Sequence, residues 1–160
     1  MSFQKKENDH RQDAKTPRKD LDEAEERLAT SIVDAAIKVH AALGPGLLES
    51  VYEICMACEL EQRGHHVKRQ VALPIHYGTL KLDAGLRLDL VVDDLVIQEL
   101  KSVERLLPVH HAQLLTYLKL SSLRLGFLLN FNVTLMKEGI VRKILHAAAS
   151  DFPSGPSCSV

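Results

Sequence analysis

The chain has 160 residues, 46% of them hydrophobic and 26% charged, with a formal net charge of -1. That composition suits one soluble domain with a core of ordinary size, and it excludes a global basic field as the means of holding nucleic acid. No apolar run approaches the roughly 18 residues of a membrane span, and the N-terminus lacks the apolar core of a signal peptide. Three cysteines, an odd number, argue against a disulfide framework and for the cytoplasm. Aromatic content of 4% with no Trp makes a base-stacking platform for single strands a poor expectation.

Residues 1–25 are polar and charged with no apolar period, and are expected to form a flexible tail. From Leu28 a helical period runs through Ile32, Ala36, Val39 and Leu43. Gly44-Pro45-Gly46 ends it, and a second helix is expected from Leu47 to about Arg63, with Gly64 as its stop. Val67 to Tyr77 reads as a strand, with Pro74 marking an edge or an irregularity. Leu80 to Leu82 extends it into a hairpin. Leu86 to Lys101 reads as two apolar strands joined by an acidic turn. A helix starts near Pro108 and runs to about Leu120. Arg124 to Asn130 is an apolar strand covered on both faces. Val141 to Leu145 fits a strand or a helix equally. Residues 26–147 form the expected domain and 148–160 a flexible C-terminal tail rich in Pro, Gly and Ser. Hairpins followed by a helical crossover imply an α/β fold with a mixed sheet of four to five strands flanked by helices.

The chemistry concentrates in the Leu86–Lys101 stretch, where Asp89, Glu99 and Lys101 stand where a plain strand carries Val or Thr. Charged side chains are rarely buried unless paired or bound to a metal. Glu99 and Lys101 share a strand face. The turn decides the face of Asp89. A two-residue Asp93-Asp94 turn sets it opposite Gln98. A three-residue Asp93-Asp94-Leu95 loop pairs Val92 with Val96 and sets it opposite Glu99. Asp-Asp is a poor two-residue turn, which favours the longer loop. Opposed carboxylates then call for a cation, and Mg2+ or Mn2+ suits carboxylate and carbonyl oxygen. Lys101 would orient a water or stabilise charge on a phosphate. The bland alternative is a surface Glu–Lys pair with Asp89 on a solvated face.

Two further stretches bear on that choice: Leu43-Gly44-Pro45-Gly46-Leu47-Leu48-Glu49-Ser50-Val51-Tyr52, and Gln113-Leu114-Leu115-Thr116-Tyr117 followed by Leu125-Gly126-Phe127-Leu128-Leu129-Asn130-Phe131. Together with Asp89 and Glu99-Leu100-Lys101 they resemble the GxxExxY protein family of the PD-(D/E)XK nuclease superfamily, from about Ile32 to Ile144. The resemblance implies a restriction-endonuclease-like core and a metal-dependent phosphodiesterase acting on nucleic acid, with DNA the expected substrate. It implies that Asp89, Glu99, Glu49 and the Leu100 carbonyl hold Mg2+ or Mn2+, and that Lys101 is catalytic. Gln113 and Tyr117 are similar to a Gln-x-x-x-Tyr element that positions the nucleic-acid strand. Leu88 departs from the pattern, where the superfamily name has Pro. With a near-neutral charge, affinity has to come from a local basic patch, a homodimer or a partner protein. No contact with a membrane is expected. The competing reading is a non-catalytic nucleic-acid- or protein-binding module that retains the fold.

Other candidates carry less. Cys55 and Cys58 have CxxC spacing without a second pair, and Cys55 falls on an apolar stripe, so packing accounts for them. His65-His66 and His110-His111 are adjacent pairs whose side chains point apart.

Overall fold

The computed structural model describes residues 21–83 and 85–146, so most of the two expected tails lies outside the described residues. The first helix, α1 (Glu23–Leu43), begins earlier than its apolar period. A capping box starts it: Asp22 Oδ1 accepts the Glu25 N–H at 2.8 Å, and Glu25 Oε2 accepts the Asp22 N–H at 2.9 Å. Residues 23–25, assigned to the tail on composition, therefore belong to the helix. It buries Leu28, Ile32, Ala35, Ala36 and Val39 on one stripe.

After the Gly44–Leu48 turn comes α2 (Glu49–Gln62). The expected long strand is two: β1 (Val67–Ala72) and β2 (Ile75–Tyr77), separated at Pro74, which has no N–H to give a ladder. β2 pairs with β3 (Leu80–Leu82) as a separate hairpin. β4 (Arg87–Val92) and β5 (Val96–Lys101) are joined by the acidic turn, α3 (Pro108–Ser121) crosses over, and β6 (Leu125–Asn130) returns parallel to β5. A single-turn helix, α4 (Met136–Gly139), precedes β7 (Ile140–Ile144), which resolves the open choice at Val141–Leu145 as a strand.

The main sheet has the order β1-β4-β5-β6-β7, mixed, with only the β5–β6 pair parallel. Its faces pack into two cores. One joins α1 and α2 to Leu90, Val92, Val96, Leu100, Phe127 and Leu129. The other joins α3 to Leu88, Val91, Ile97 and Leu128. α3 lies close on β6 because position 126 is Gly: a Cβ there would stand 2.9 Å from Leu114 Cδ1. β5 is the central strand and is buried from Val96 to Leu100, so any polar group it carries needs a reason.

Candidate active site

The β4–β5 turn sets the geometry. Asp93 and Asp94 both take left-handed backbone, φ 52 and 55, and Leu95 follows as the extra residue, so Val92 pairs with Val96. Two non-glycine residues hold that conformation because their carboxylates are tied to the start of β1. Asp93 accepts the His66 N–H at 2.7 Å and meets His65 Nδ1 at 2.7 Å, and Asp94 accepts from Lys68 at 2.6 Å. This is the register of the three-residue loop. The ladder runs from Val92–Val96 to Leu90–Gln98 and its pairing ends there, one step short of Asp89 and Glu99. There the Asp89 carboxylate reaches the β5 main chain: Oδ2 accepts the Leu100 N–H at 2.8 Å.

Glu99 and Lys101 share a face, and Lys101 Nζ donates to Glu99 Oε1 at 3.1 Å. Glu99 is only 3% exposed, and its Oε2 is buried with no hydrogen-bond partner. Glu49, the first residue of α2, joins from the other side, where its Oε1 accepts the Ser102 N–H at 3.2 Å. Tyr52 explains how a helix start is fixed there. Its hydroxyl donates to the Gly44 carbonyl at 2.6 Å and accepts the Leu47 N–H at 3.1 Å, while its ring stacks on Phe131 at 4.4 Å. The Gly44–Leu47 turn is closed on Tyr52, and Gly46 takes φ 93 to make it. The Ser102 hydroxyl donates to the Leu47 carbonyl at 2.6 Å, and the Asn130 amide brackets the Val103 main chain, so the segment after β5 is sewn to both neighbours.

Burial and the neighbouring charges shift the titrations. Burial, then the nearby Asp89 charge, push Glu99 up to about 7, and Lys101 only partly offsets them. Burial also raises Asp89, against the pull of the Leu100 N–H and Lys101 and with Glu53 and Glu49 adding to it. For Lys101 burial works downward, but Glu99, Glu49 and Asp89 outweigh it and hold the ammonium charged to higher pH than usual.

A family model described as the PD-(D/E)XK nuclease superfamily matches residues 26–143. The chain belongs to that superfamily. No curated protein and no solved structure matches it. PD-(D/E)XK nucleases generally use divalent metals, which makes the donor set the next question. Among the described residues no three His, Cys, Asp or Glu side chains already stand as a metal-holding group. Each carboxylate has one oxygen engaged within the protein: Glu49 with Ser102, Asp89 with Leu100, Glu99 with Lys101. The unpartnered Glu99 Oε2 is a buried hard donor without a use, and an oxygen-seeking cation fits it.

Gln113 and Tyr117 stand apart from this hydrogen-bond network. Gln113 Nε2 donates to the Tyr117 hydroxyl at 2.8 Å, and the Tyr117 ring is buried in the α3-side core. His110 reaches back along its own helix start, with Nδ1 accepting the Leu107 N–H at 3.0 Å. Cys55 and Cys58 are free thiols bordering an apolar groove between α1 and α2. Among the described residues no helix is long and apolar enough to cross a membrane.

One acid of the site region, Glu53, was not singled out from the sequence. Glu53 is 6% exposed and binds Arg69 and Gln70. Its signal was the four-residue spacing from Glu49, which puts both acids on one helix face. Gln98 is fully buried with neither amide atom hydrogen-bonded, and nothing in the structure explains it.

Proposed function

We propose that the protein is a metal-dependent nuclease of the GxxExxY type that hydrolyses phosphodiester bonds in DNA. The observation that carries this reading is Glu99: a carboxylate in the central strand, beside a second acid and a lysine, with one buried oxygen left unpartnered. An unsatisfied buried acceptor is destabilising, and a cation at Glu99 Oε2 would remove that cost. Asp89, Glu99, Glu49 and the Leu100 carbonyl would hold Mg2+ or Mn2+. When bound, the ion supplies Lewis-acid polarisation of a phosphoryl oxygen and makes water a stronger acid. With the ion bound, Glu99 would be ionised, its proton released to solvent, and its Oε1 would still take the Lys101 Nζ hydrogen bond. Lys101 stays charged and directs its Nζ protons at the attacking water or the phosphate oxygen that gathers negative charge. Asp89, seated on the Leu100 N–H, keeps one oxygen fixed while the other serves the ion. Gln113 and Tyr117, already bonded to each other, orient the strand from α3.

The test is incubation with linear, circular and single-stranded DNA, and with RNA, in Mg2+, Mn2+ or EDTA, beside Lys101→Ala. Metal-dependent cleavage of DNA that the variant loses is the expected result. Binding without cleavage by the unaltered protein refutes the reading.

A further inference from the structure

Gln70 has a left-handed backbone, φ 50, in the middle of β1, a conformation that a side chain with a Cβ adopts rarely. The β1–β4 ladder shows what it does. Pairing runs Val67–Val92, Lys68–Val91, Arg69–Leu90, then resumes in the same register at Val71–Leu88. The missing step is Gln70 against Asp89. A second consequence appears on β4. Alternation should put Leu88 and Leu90 on one face. Instead Leu90 enters the α1/α2-side core and Leu88 the α3-side core with Val91. The faces of β4 exchange at Asp89. Regular alternation would stand the Asp89 carboxylate on the α3-side face beside Val91; the exchange turns it toward the β5 main chain, where it takes the Leu100 N–H.

The kink is held from α2. Glu53 Oε2 accepts from Gln70 Nε2 at 2.7 Å, and Glu53 Oε1 accepts from Arg69 Nε at 2.9 Å. Arg87 Nη1 donates to the Gln70 carbonyl at 3.1 Å, so the residue is gripped through both its side chain and its main chain. Glu53 is buried while Arg69 and Gln70 are exposed, so the acid is the fixed point and the strand is fastened to it.

We infer that Glu53 is a positioning residue: by clamping Arg69 and Gln70 it maintains the left-handed turn of β1 that seats the Asp89 carboxylate on the Leu100 amide. The consequence for metal binding rests on the proposed role of Asp89; the seating itself does not.

The seating is read in the metal-free protein by residue-resolved amide hydrogen exchange, and its consequence by calorimetric titration with Mn2+. In Glu53→Ala, the Leu100 amide should exchange at least about tenfold faster, with Ile97 and Phe127 unchanged, and Mn2+ should bind about tenfold more weakly. Adding Gln70→Gly should restore both, because glycine takes positive φ without a clamp. Gln70→Ala, a change at an exposed position, should move the Leu100 amide in the same direction and stands in should Glu53→Ala not fold. Unchanged Leu100 exchange in either variant overturns the inference. So does a uniform rise across all strands that Gln70→Gly leaves in place, since Glu53 would then support stability alone. Failure of the unaltered protein to cleave DNA would count against the proposed nuclease and leave the exchange comparison standing.

Discussion

Replacing Glu99 by Gln should make the metal-free protein more stable in alkali and leave it nearly unchanged in acid. In the folded state Glu99 titrates at about 7, against 4.5 for the ordinary side chain. Below pH 4.5 both states hold the proton and the group contributes nothing. Between the two values the unfolded chain releases it while the native protein keeps it, so stability falls as pH rises. Above pH 7 both are ionised and the penalty stays at its full size. At about 1.36 kcal/mol for each pH unit of separation, that size is about 3 kcal/mol. Gln keeps the shape and removes the charge, so the stability of Glu99→Gln relative to the parent should climb by roughly 2.5 kcal/mol between pH 5 and pH 8. Urea unfolding in EDTA at four pH values measures it. A flat difference across that range would mean that Lys101 fully compensates Glu99, and the case for a carboxylate awaiting a cation would fail. The same titration predicts proton release on loading: at pH 7, Mn2+ should displace about half a proton from Glu99, read by calorimetry in buffers of different ionisation enthalpy.

Lys101→Ala should fold and lower the rate of cleavage roughly 10²- to 10³-fold, the usual loss for one transition-state donor; unchanged single-turnover rates would exclude Lys101 from the chemistry. Tyr52→Phe removes the hydroxyl shared by Gly44 and Leu47 and should cost about 1–3 kcal/mol in urea unfolding. Because the Gly44–Leu47 turn leads directly into Glu49, it should also weaken Mn2+ binding, and wild-type affinity in that variant would separate the turn from the site. Gly126→Ala should destabilise by about 1–3 kcal/mol through the approach of α3, and shortening Leu114 to Val in the same chain should recover part of it.

The element order was legible because periodicity and punctuation agreed: an apolar stripe and Gly-Pro-Gly for α1 and α2, apolar runs for β4, β5 and β6, and Pro108 at the start of α3. The start of α1 was written in Asp22-x-x-Glu25, but a capping box inside a run of acids looks like more solvated tail. Pro74 marked an irregularity without saying that the strand would break and that its second half would pair with Leu80–Leu82 alone. β7 was ambiguous because five residues are too short for a period to discriminate strand from helix.

The site divides along a different line. Asp89, Glu99 and Lys101 were legible because charges inside an apolar strand pair are costly, and the β4–β5 register followed from turn chemistry that is local to Asp93-Asp94-Leu95. Glu53 and Gln70 were not, because what they do depends on a contact seventeen positions apart in the chain. Nothing local marks a glutamine for left-handed backbone. Period two also assigns Leu88 and Leu90 to one face, and the structure separates them. That failure of alternation falls at Asp89, on one side of the central strand that carries Glu99. A regular β1–β4 ladder would have satisfied every main-chain group at lower strain; the chain instead spends a buried carboxylate, an arginine and a left-handed glutamine on interrupting it. Strain kept in place by side chains from α2, β1 and β4 is more simply understood as a requirement of the carboxylate it turns than as a defect of an edge strand.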